Sequence, residues 1–333
     1  MPYRQTARES SPIDAMRFAI VVKRVGGWDN GLPCRQNRAR VTGAGCGIGR
    51  GGVPELPEVE TIARDLRVSL IGARVTAVWG SGLPLRLGRP VDLGAIRRVA
   101  ESRRVVAVRR KGKYLLIEFE HRPDGNEALE PGVLIHLGMS GRLLVEPADN
   151  PRPAHTHLAW LLEDGRELRF RDPRRFGFVA AQAPLSARRE LQELGPDPLT
   201  ELDVAGLIRR LTGVRAPIKA FLLDQRRVGG IGNIYVCEAL HRAGIHPSTP
   251  AGRTPRRAVA LLAGIRSALE LGIRNRGTTL RDYVDSTGAR GNNAATLRVY
   301  GRHGKPCPVC GTPVSRRIDA GRSTFFCGRC QRR

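Results

Sequence analysis

The chain has 333 residues and is strongly basic, with 56 Lys or Arg against 31 Asp or Glu and a net charge of +25. This length predicts two or three domains, and the positive charge indicates a polyanionic partner such as nucleic acid. The sequence lacks the run of about 18 apolar residues that a membrane-spanning helix needs, so no membrane partner is expected. Seven cysteines in a chain of this length do not indicate a disulfide framework.

The first 53 residues differ in composition from the rest. They carry nine Lys or Arg and three Asp or Glu, with no long apolar run and no clear helix or strand periodicity. Without them the net charge is still +19. An arginine-rich, acid-poor segment is also typical of a removed targeting peptide.

A helix is predicted just after Pro54, because Pro57 suits a first helical turn and apolar residues follow at helical spacing up to Leu70. Asp164-Gly165 is a strong hairpin signal between two later runs. Strands without intervening helices predict an antiparallel β-sandwich. The strand-like runs are Arg74–Trp79, Arg104–Arg109, Tyr114–Glu120, Val133–Leu137, Arg142–Glu146, His157–Leu162 and Glu167–Arg171.

The second half of the chain has helical periodicity. Gly195-Pro196-Asp197-Pro198 reads as part of a linker into it. We therefore predict an α+β protein with a β-sandwich flanked by helices over 54–182, a linker over 183–198, a helical domain over 199–296 and a small ribbon over 297–333. The predicted helices are Val204–Leu211, Ile218–Gln225, Asn233–Ala243 and Pro255–Arg274.

Four cysteines near the end of the chain have metal-ligand spacing. Cys307-x-x-Cys310 and Cys327-x-x-Cys330 are sixteen residues apart, and two such pairs can hold one Zn²⁺ tetrahedrally at about 2.3 Å. Four thiolates leave no open position, so the predicted zinc is structural. Two disulfides are the alternative, which a reducing cytosol disfavours. Arginines between the pairs, among them Arg322, could contact DNA phosphates.

The run Val-Pro-Glu-Leu-Pro-Glu-Val-Glu, which starts at Val53, carries the most specific chemistry. Inside a chain the nitrogen of Pro54 is a planar amide without a nucleophilic lone pair. At a free N-terminus it is a secondary amine that can attack a sugar carbon and form an iminium. The adjacent Glu55 could move protons across one nucleotide, although an acid at a helix start is also favoured by the helix dipole alone.

Several further motifs are each ambiguous when taken alone. Lys113 follows two arginines and a lysine at a hairpin tip, where Arg109, Arg110 and Lys111 are expected to be solvated. A methionine on a glycine-flanked turn is often a core residue, and an Arg-Phe pair is a common surface arrangement. The glycine-rich run at 229–232 could be a plain tight turn before a helix, for which Asn233 is a good N-cap.

Taken together, residues from Pro54 to Gln331 resemble the bacterial formamidopyrimidine-DNA glycosylases, which excise oxidised purines. The resemblance rests on motifs in the family's order: the run at Pro54, Arg-Arg-Lys-Gly-Lys-Tyr, His-Leu-Gly-Met-Ser-Gly, Asp-Pro-Arg-Arg-Phe-Gly, Gly-Gly-Ile-Gly-Asn and the four cysteines. In this family the initiator Met is removed and the proline becomes the nucleophile. Val53 occupies the position of that initiator. A GUG start codon that falls inside a longer reading frame is translated as valine, which would explain this residue. We therefore expect residues 1–53 to be a mis-assigned start, with a cleaved or regulatory extension as the alternative.

The resemblance implies a role for each matched residue. Pro54 is the implied nucleophile, Glu55 its acid–base partner, and Lys113 lies near the damaged nucleotide and its phosphate. His136 and Met139 belong to the DNA-binding set, and the methionine fills the gap left by the extruded base. Arg174 is then expected to face the cytosine that is left unpaired when the damaged base is extruded. Arg175 is expected to bind phosphate, and Phe176 to stack into the duplex.

The resemblance also implies a helix–two-turn–helix element that binds DNA. Asn233 and Arg322 would hold the same stretch of phosphates. Lys219 occupies a DNA-binding position of the family, and Glu238 is expected to brace the turn. The implied activity is a DNA glycosylase with lyase activity that acts on formamidopyrimidines and 8-oxoguanine by β,δ-elimination. It would act on damaged double-stranded DNA as a zinc-containing monomer in the bacterial cytoplasm, at the nucleoid.

One departure and two alternatives stay open. Relatives carry an aromatic residue in the loop over the extruded base, where this chain has Asn292-Asn293, so the preference for 8-oxoguanine is less secure than that for formamidopyrimidines. The sister endonuclease VIII branch acts on oxidised pyrimidines and opens Pro-Glu-Gly-Pro-Glu, whereas Leu56 favours the purine branch. A DNA-binding protein without catalysis would result if Pro54 were not the mature N-terminus.

Overall fold

A computed structural model of the chain describes residues 53–86, 88–121 and 130–332. Residues 1–52, which make up nearly all of the predicted extension, lie outside this range together with Cys34 and Cys46. Among the described helices, none has both the length and the apolar character needed to cross a bilayer.

The first helix, α1 (Leu56–Leu70), begins with a reciprocal capping box between Glu55 and Glu58. It ends before Gly72, whose φ of +87° suits glycine. The start and the end of α1 both confirm the helix predicted after Pro54. Residues Leu56 to Ala63 are buried on every side of the helix, because α1 packs against both the sandwich and the long helix of the second half.

Two four-stranded antiparallel sheets form the predicted sandwich, with strand orders β1-β6-β7-β5 and β2-β3-β4-β8. A contiguous apolar core fills the space between the sheets and α1. The hairpin at Asp164-Gly165 joins β6 to β7, as predicted. The strands are β1 (Val75–Gly80), β2 (Val105–Lys111), β3 (Tyr114–Phe119), β4 (Gly132–His136), β5 (Arg142–Pro147), β6 (Thr156–Leu162), β7 (Arg166–Arg171) and β8 (Phe178–Gln182).

Two elements of this half were not predicted. Helix α2 (Leu93–Ala100) lies between β1 and β2, so the expectation of strands without intervening helices was wrong there. Only Ile96 and Ala100 of α2 are buried, which leaves too few apolar positions for a periodic signal. Strand β8 was missed because Phe-Val-Ala-Ala-Gln does not alternate between apolar and polar residues.

The second half contains the four predicted helices and a ribbon. Helices α4 (Val204–Leu211), α5 (Ile218–Leu223), α6 (Asn233–Arg242) and α7 (Ala258–Arg274) confirm the helical periodicity. The predicted start of α7 at Pro255 falls in a 3₁₀ turn, and a short α3 (Arg189–Gln192) lies in the predicted linker. The predicted ribbon contains the hairpin of β9 (Ser315–Asp319) and β10 (Arg322–Phe326), for which no strand bounds were predicted.

A buried charge cluster joins the two halves. Arg110 on β2 forms ion pairs with Glu60 on α1, at 2.9 Å, and with Asp197 in the segment that enters the helical half. Its side chain is only 5% exposed, which corrects the expectation that Arg110 is solvated at a hairpin tip. The carboxylates from two distant segments supply the counter-charges that make this burial tolerable.

Candidate active site

A cavity of about 600 Å³ opens where the sandwich, the start of α6 and the ribbon meet. It gathers six residues predicted for the site from positions far apart in the chain: Glu55, Lys113, His136, Met139, Asn233 and Arg322. Val53, Gln225, Tyr300 and Ile318 also line it, and none of these was predicted for the site. Arg316, one of the arginines between the cysteine pairs that were expected to contact phosphate, lines it as well.

Glu55 is buried and its carboxylate caps helix α6. The backbone N–H groups of Ile234 and Tyr235 donate to its two oxygens, at 2.9 and 3.2 Å. These bonds and the helix dipole favour the carboxylate, as does the nearby Lys113 ammonium, but burial outweighs them and raises the pKa of Glu55. A carboxyl that holds its proton more strongly than usual is suited to act as a general acid.

The glycine-rich run before α6 is shaped by this contact. A Cβ on Gly232 would collide with the Glu55 carboxyl group, and one on Gly230 would lie 2.6 Å from the Leu56 side chain. Gly232 is the N-cap of α6, and Asn233 is the first residue of the helix, so the prediction of Asn233 as N-cap was wrong. The side chain that satisfies the first helical N–H groups comes instead from 179 residues away.

A second buried carboxylate, which sequence reasoning missed, lies behind Glu55. Glu58 accepts hydrogen bonds from the Glu55 N–H at 2.9 Å, the Tyr235 hydroxyl at 2.7 Å and the Thr278 N–H at 2.7 Å. Burial and the neighbouring Glu55 raise the pKa of Glu58 to about 7. The motif Pro-Glu-Leu-Pro-Glu holds this residue at the capping-box spacing, which is the signal that could have identified it.

Pro54 is buried beside these carboxylates. It lines a small pocket together with Glu58, Ile234 and Thr278, and with Leu280 and Tyr283 from the segment after α7. Val53, which precedes it, is 37% exposed and lines the cavity. In the chain as given, the pyrrolidine nitrogen is therefore an amide whose substituent points toward the cavity.

Lys113 and His136 form the sandwich side of the cavity. Burial lowers the pKa of Lys113, against the opposing effect of Glu55, and Arg322 lowers it further. The His136 Nδ1 accepts the Gly138 N–H at 3.0 Å, which leaves Nε2 as the donor of the neutral ring. Burial, Lys113 and Arg86 lower the pKa of His136 to about 4, so this ring is neutral at physiological pH.

The residues predicted to fill the gap in DNA occupy two adjacent turns. Met139 is half-buried on the cavity wall, whereas Arg174 and Arg175 are exposed and Phe176 is half-buried on the neighbouring loop. The Arg174 guanidinium lies 4.8 Å from the Phe176 ring. We call residues 172–177 the Arg-Arg-Phe loop.

Asp172, for which no role was predicted, connects those two turns. Its fully buried carboxylate accepts from the Ser140 hydroxyl at 2.6 Å and the Gly177 N–H at 2.6 Å. Ser140 follows Met139 directly, so one carboxylate fixes the methionine turn relative to the Arg-Arg-Phe loop. Arg175 has a φ of +52°, an uncommon conformation for a side chain of this size that this bonding holds in place.

The ribbon approaches the cavity through Arg322, which is exposed at the start of β10. The Asn233 amide donates to the Ser323 carbonyl at 2.9 Å, so α6 and the ribbon are joined at this point. Lys219 is 3% exposed, and its ammonium donates to the Ser323 carbonyl and the Thr324 hydroxyl. The predicted DNA contact of Lys219 is therefore corrected: it lies beneath the ribbon and positions the hairpin.

Glu238 and the two asparagines both bear on the segment after α7. The Glu238 carboxylate accepts the N–H groups of Arg298, Val299 and Tyr300, so it has a structural role as predicted, but it braces this segment and not the turn beside α6. Asn292 is exposed, but Asn293 is buried and its amide donates to the Thr278 hydroxyl at 2.8 Å. Thr278 in turn contacts Glu58, so Asn293 joins this loop to the buried carboxylates.

The four predicted cysteines converge at the base of the ribbon, with all Sγ atoms within 4.8 Å of one another. Cys307 and Cys330 sulfurs are 3.9 Å apart, and those of Cys310 and Cys327 are 3.4 Å apart. Tetrahedral bonds of about 2.3 Å to zinc require sulfurs about 3.8 Å apart, so the arrangement fits one Zn²⁺. A set of four sulfurs fits a structural ion.

Comparison with known proteins gives matches over nearly the whole described chain. The profile of the formamidopyrimidine-DNA glycosylase N-terminal domain matches residues 53–179. The H2TH domain profile of the same glycosylases matches 194–284, and a zinc finger found in FPG and IleRS matches 304–333. The formamidopyrimidine-DNA glycosylase of Xanthomonas oryzae pv. oryzae is 43% identical over 282 residues, which is 84% of this chain and 100% of that protein.

Solved structures of Fpg proteins are also similar to this chain. The MutM (Fpg) protein of Thermus thermophilus is 39% identical with a TM-score of 0.71, over 84% of this chain and 98% of that one. A variant of Lactococcus lactis Fpg, crystallised with a Fapy-dG containing DNA, is 29% identical with a TM-score of 0.74, over 84% of this chain and 100% of that one.

Proposed function

This chain belongs to the formamidopyrimidine-DNA glycosylase family, and from that premise we propose that it removes oxidised purines from duplex DNA and then cuts the strand on both sides of the lesion. The observation that carries the proposal is the geometry at Glu55. A buried carboxyl, held by the first N–H groups of α6, lies in a cavity with Lys113, His136 and Arg322. Such a site combines proton transfer with cationic groups suited to phosphate.

In the proposed mechanism the nucleophile is the secondary amine of Pro54, released when Val53 and the preceding residues are absent. Its lone pair forms a bond to C1′ of the damaged nucleotide, and the bond from C1′ to the base breaks with its electron pair on the base, which takes up the proton that the amine loses. Glu55 donates a proton to the ring oxygen, which opens the sugar and leaves an iminium between Pro54 and C1′. The Glu55 carboxylate then takes a C2′ proton as the 3′ phosphate leaves. Loss of a C4′ proton expels the 5′ phosphate, and water adds to the iminium carbon and frees the Pro54 amine.

Positioning is assigned to the residues around this pair. The Glu58 carboxyl accepts the N–H of Glu55 and so fixes the peptide next to Pro54. Lys113 is proposed to hold the phosphate of the damaged nucleotide, and the neutral His136 to donate Nε2–H to a neighbouring phosphate. Both lie on the cavity wall that faces Arg322.

Extrusion of the base is assigned to the two turns joined by Asp172. Met139 would fill the vacated space, with Phe176 stacked into the duplex and Arg174 opposite the unpaired base. These contacts must offset the few kcal/mol that unstacking costs. Arg175, Asn233 and Arg322 would contact phosphates, and Cys307, Cys310, Cys327 and Cys330 would hold one Zn²⁺ that shapes the ribbon. We expect a monomer that works in the cytoplasm at the nucleoid.

Formamidopyrimidines are the preferred substrates in this proposal, with 8-oxoguanine secondary. Asn292 and Asn293 offer no aromatic surface over the extruded base, and Asn293 is turned into the protein. The alternative is an endonuclease VIII-like activity on oxidised pyrimidines. Against it stands Leu56, which packs into the helical core next to Gly230 and carries part of the contact between the two halves.

The test uses borohydride, which reduces an iminium to a stable amine link. Protein that begins at Pro54 is expected to be trapped on lesion-containing duplex, and the 333-residue chain is not. Cleavage of matched duplexes with formamidopyrimidine, 8-oxoguanine or thymine glycol then ranks the substrates. Equal trapping of both proteins would overturn the role of Pro54, and a strong thymine glycol preference would favour the sister branch.

A further inference from the structure

At the C-terminal end of α6, away from the proposed reaction, a histidine contacts a predicted zinc ligand. The His241 Nε2 lies 3.4 Å from the Cys307 Sγ, and both residues are buried. His241 is not itself one of the four clustered ligands. We propose that His241 donates an Nε2–H hydrogen bond to the Cys307 thiolate and thereby retains zinc in the ribbon.

The direction of the hydrogen bond follows from the other ring nitrogen. The His241 Nδ1 is buried and has no hydrogen-bond partner among the described residues. A neutral imidazole has one donor and one acceptor nitrogen. With the proton on Nδ1, a buried donor would be unmet and the Nε2 lone pair would face the negative sulfur. With the proton on Nε2, the donor points at the thiolate.

A thiolate bound to zinc keeps negative charge, so an N–H donor at this distance stabilises the metal-bound form. Groups that hydrogen-bond to metal ligands typically change metal affinity about 10- to 100-fold. His241 is thus a positioning residue for zinc. This inference rests on the proposed zinc site and adds a residue to it that is not a ligand.

The position of His241 gives the bond a consequence at the active site. Helix α6 has ten residues and is about 15 Å long, with Glu55 at its N-terminal end and Cys307 at its C-terminal end. The ribbon is attached to α6 at both ends, through Asn233 to Ser323 and through His241 to Cys307. Zinc retention by His241 therefore supports the part of the ribbon that presents Arg322 to the cavity.

Zinc release to a chromophoric chelator tests the inference on the purified protein. His241→Phe is expected to weaken zinc binding about 10- to 100-fold. His241→Gln, whose amide can donate, should recover part of the loss. Val236→Ala removes buried volume from the same helix and serves as the packing control, with zinc binding close to wild type. Equal weakening by Val236→Ala and His241→Phe would overturn the inference.

A measurement on the wild-type protein does not depend on how the variants fold. With ¹¹³Cd in place of zinc, the Hε2 proton of His241 is expected to show scalar coupling to the metal through the hydrogen bond. Bound cadmium without this coupling would overturn the inference alone. A chain that binds no metal would overturn the proposed zinc site and this inference with it.

Discussion

Charged groups are buried at the joint between the two halves, which contains Glu55, Glu58 and Arg110. They are exposed on the Arg-Arg-Phe loop. At the joint, Glu55, Glu58 and Arg110 are buried and each is matched to specific donors or counter-charges. On the loop, Arg174 and Arg175 are exposed, and only the backbone is fixed, by Asp172. Changes at the joint should therefore alter stability and chemistry together, whereas changes on the loop should alter DNA handling alone.

The largest effect is expected at Glu55. Glu55→Gln removes the proton donor, and general acid–base catalysis typically contributes about 10²- to 10⁴-fold, so excision should slow by that order. Single-turnover excision on formamidopyrimidine duplex measures it, with protein that begins at Pro54. Glu60→Gln is the matched control: it weakens the joint by changing the partner of Arg110 but keeps the Glu55 proton donor, so its rate loss should be much smaller. A similar rate loss in both variants would show that the joint, and not proton transfer, sets the rate.

The next effect concerns the stability of the joint. Arg110→Met leaves Glu60 and Asp197 without their shared counter-charge, and breaking a buried ion pair typically costs about 3–5 kcal/mol. The free energy of unfolding in denaturant measures this loss. The Arg109 side chain is 67% exposed in its pair with Glu118, so Arg109→Met is expected to cost less, about 1 kcal/mol. Equal losses would contradict the burial of Arg110.

Glu58 makes the joint sensitive to pH. Its pKa is about 7 in the folded chain against an ordinary value of 4.5, so between these values the folded state holds a proton that the unfolded state has lost. Its contribution is complete below pH 4.5 and is lost as the pH rises through 7, by roughly 3 kcal/mol in all. Unfolding free energies between pH 5 and 8 should fall more steeply for wild type than for Glu58→Gln. Parallel curves would contradict the raised pKa.

The smallest effect is expected on the loop. Phe176→Ala should weaken binding to lesion duplex by about 1–3 kcal/mol, the usual value of one aromatic–base stack. The unfolding free energy should stay within about 0.5 kcal/mol of wild type, because the ring is not part of the core. Duplex titration and denaturant unfolding measure the two quantities. A large loss of stability would show that the loop is not independent of the fold.

The sequence predicted the elements whose signal is local. Helix α1 has a proline at its start, apolar spacing and a closing glycine, and the β6–β7 hairpin has Asp164-Gly165. The spacing of the four cysteines is enough to predict their metal site. Helix α2 and strand β8 were missed because short elements with few buried positions produce little periodicity.

What could not be predicted are the contacts between distant segments. Nothing near Asn233 in the sequence indicates that its helix is capped by Glu55, because the cap exists only after the two halves meet. The burial of Arg110 depends on Asp197, 87 residues away, and that of Lys219 on the ribbon, about a hundred residues away. Sequence motifs predicted most of the site residues. Which of these residues face the cavity depends on tertiary packing, which the motifs do not indicate.

Mapping the borohydride-trapped complex identifies the nitrogen that attacks the sugar. After trapping on a formamidopyrimidine duplex and digestion of protein and DNA, mass spectrometry locates the sugar remnant. We expect the remnant on the nitrogen of Pro54, at the first position of the trapped chain. A remnant on Lys113, or on a chain that still carries the residues before Pro54, would contradict it.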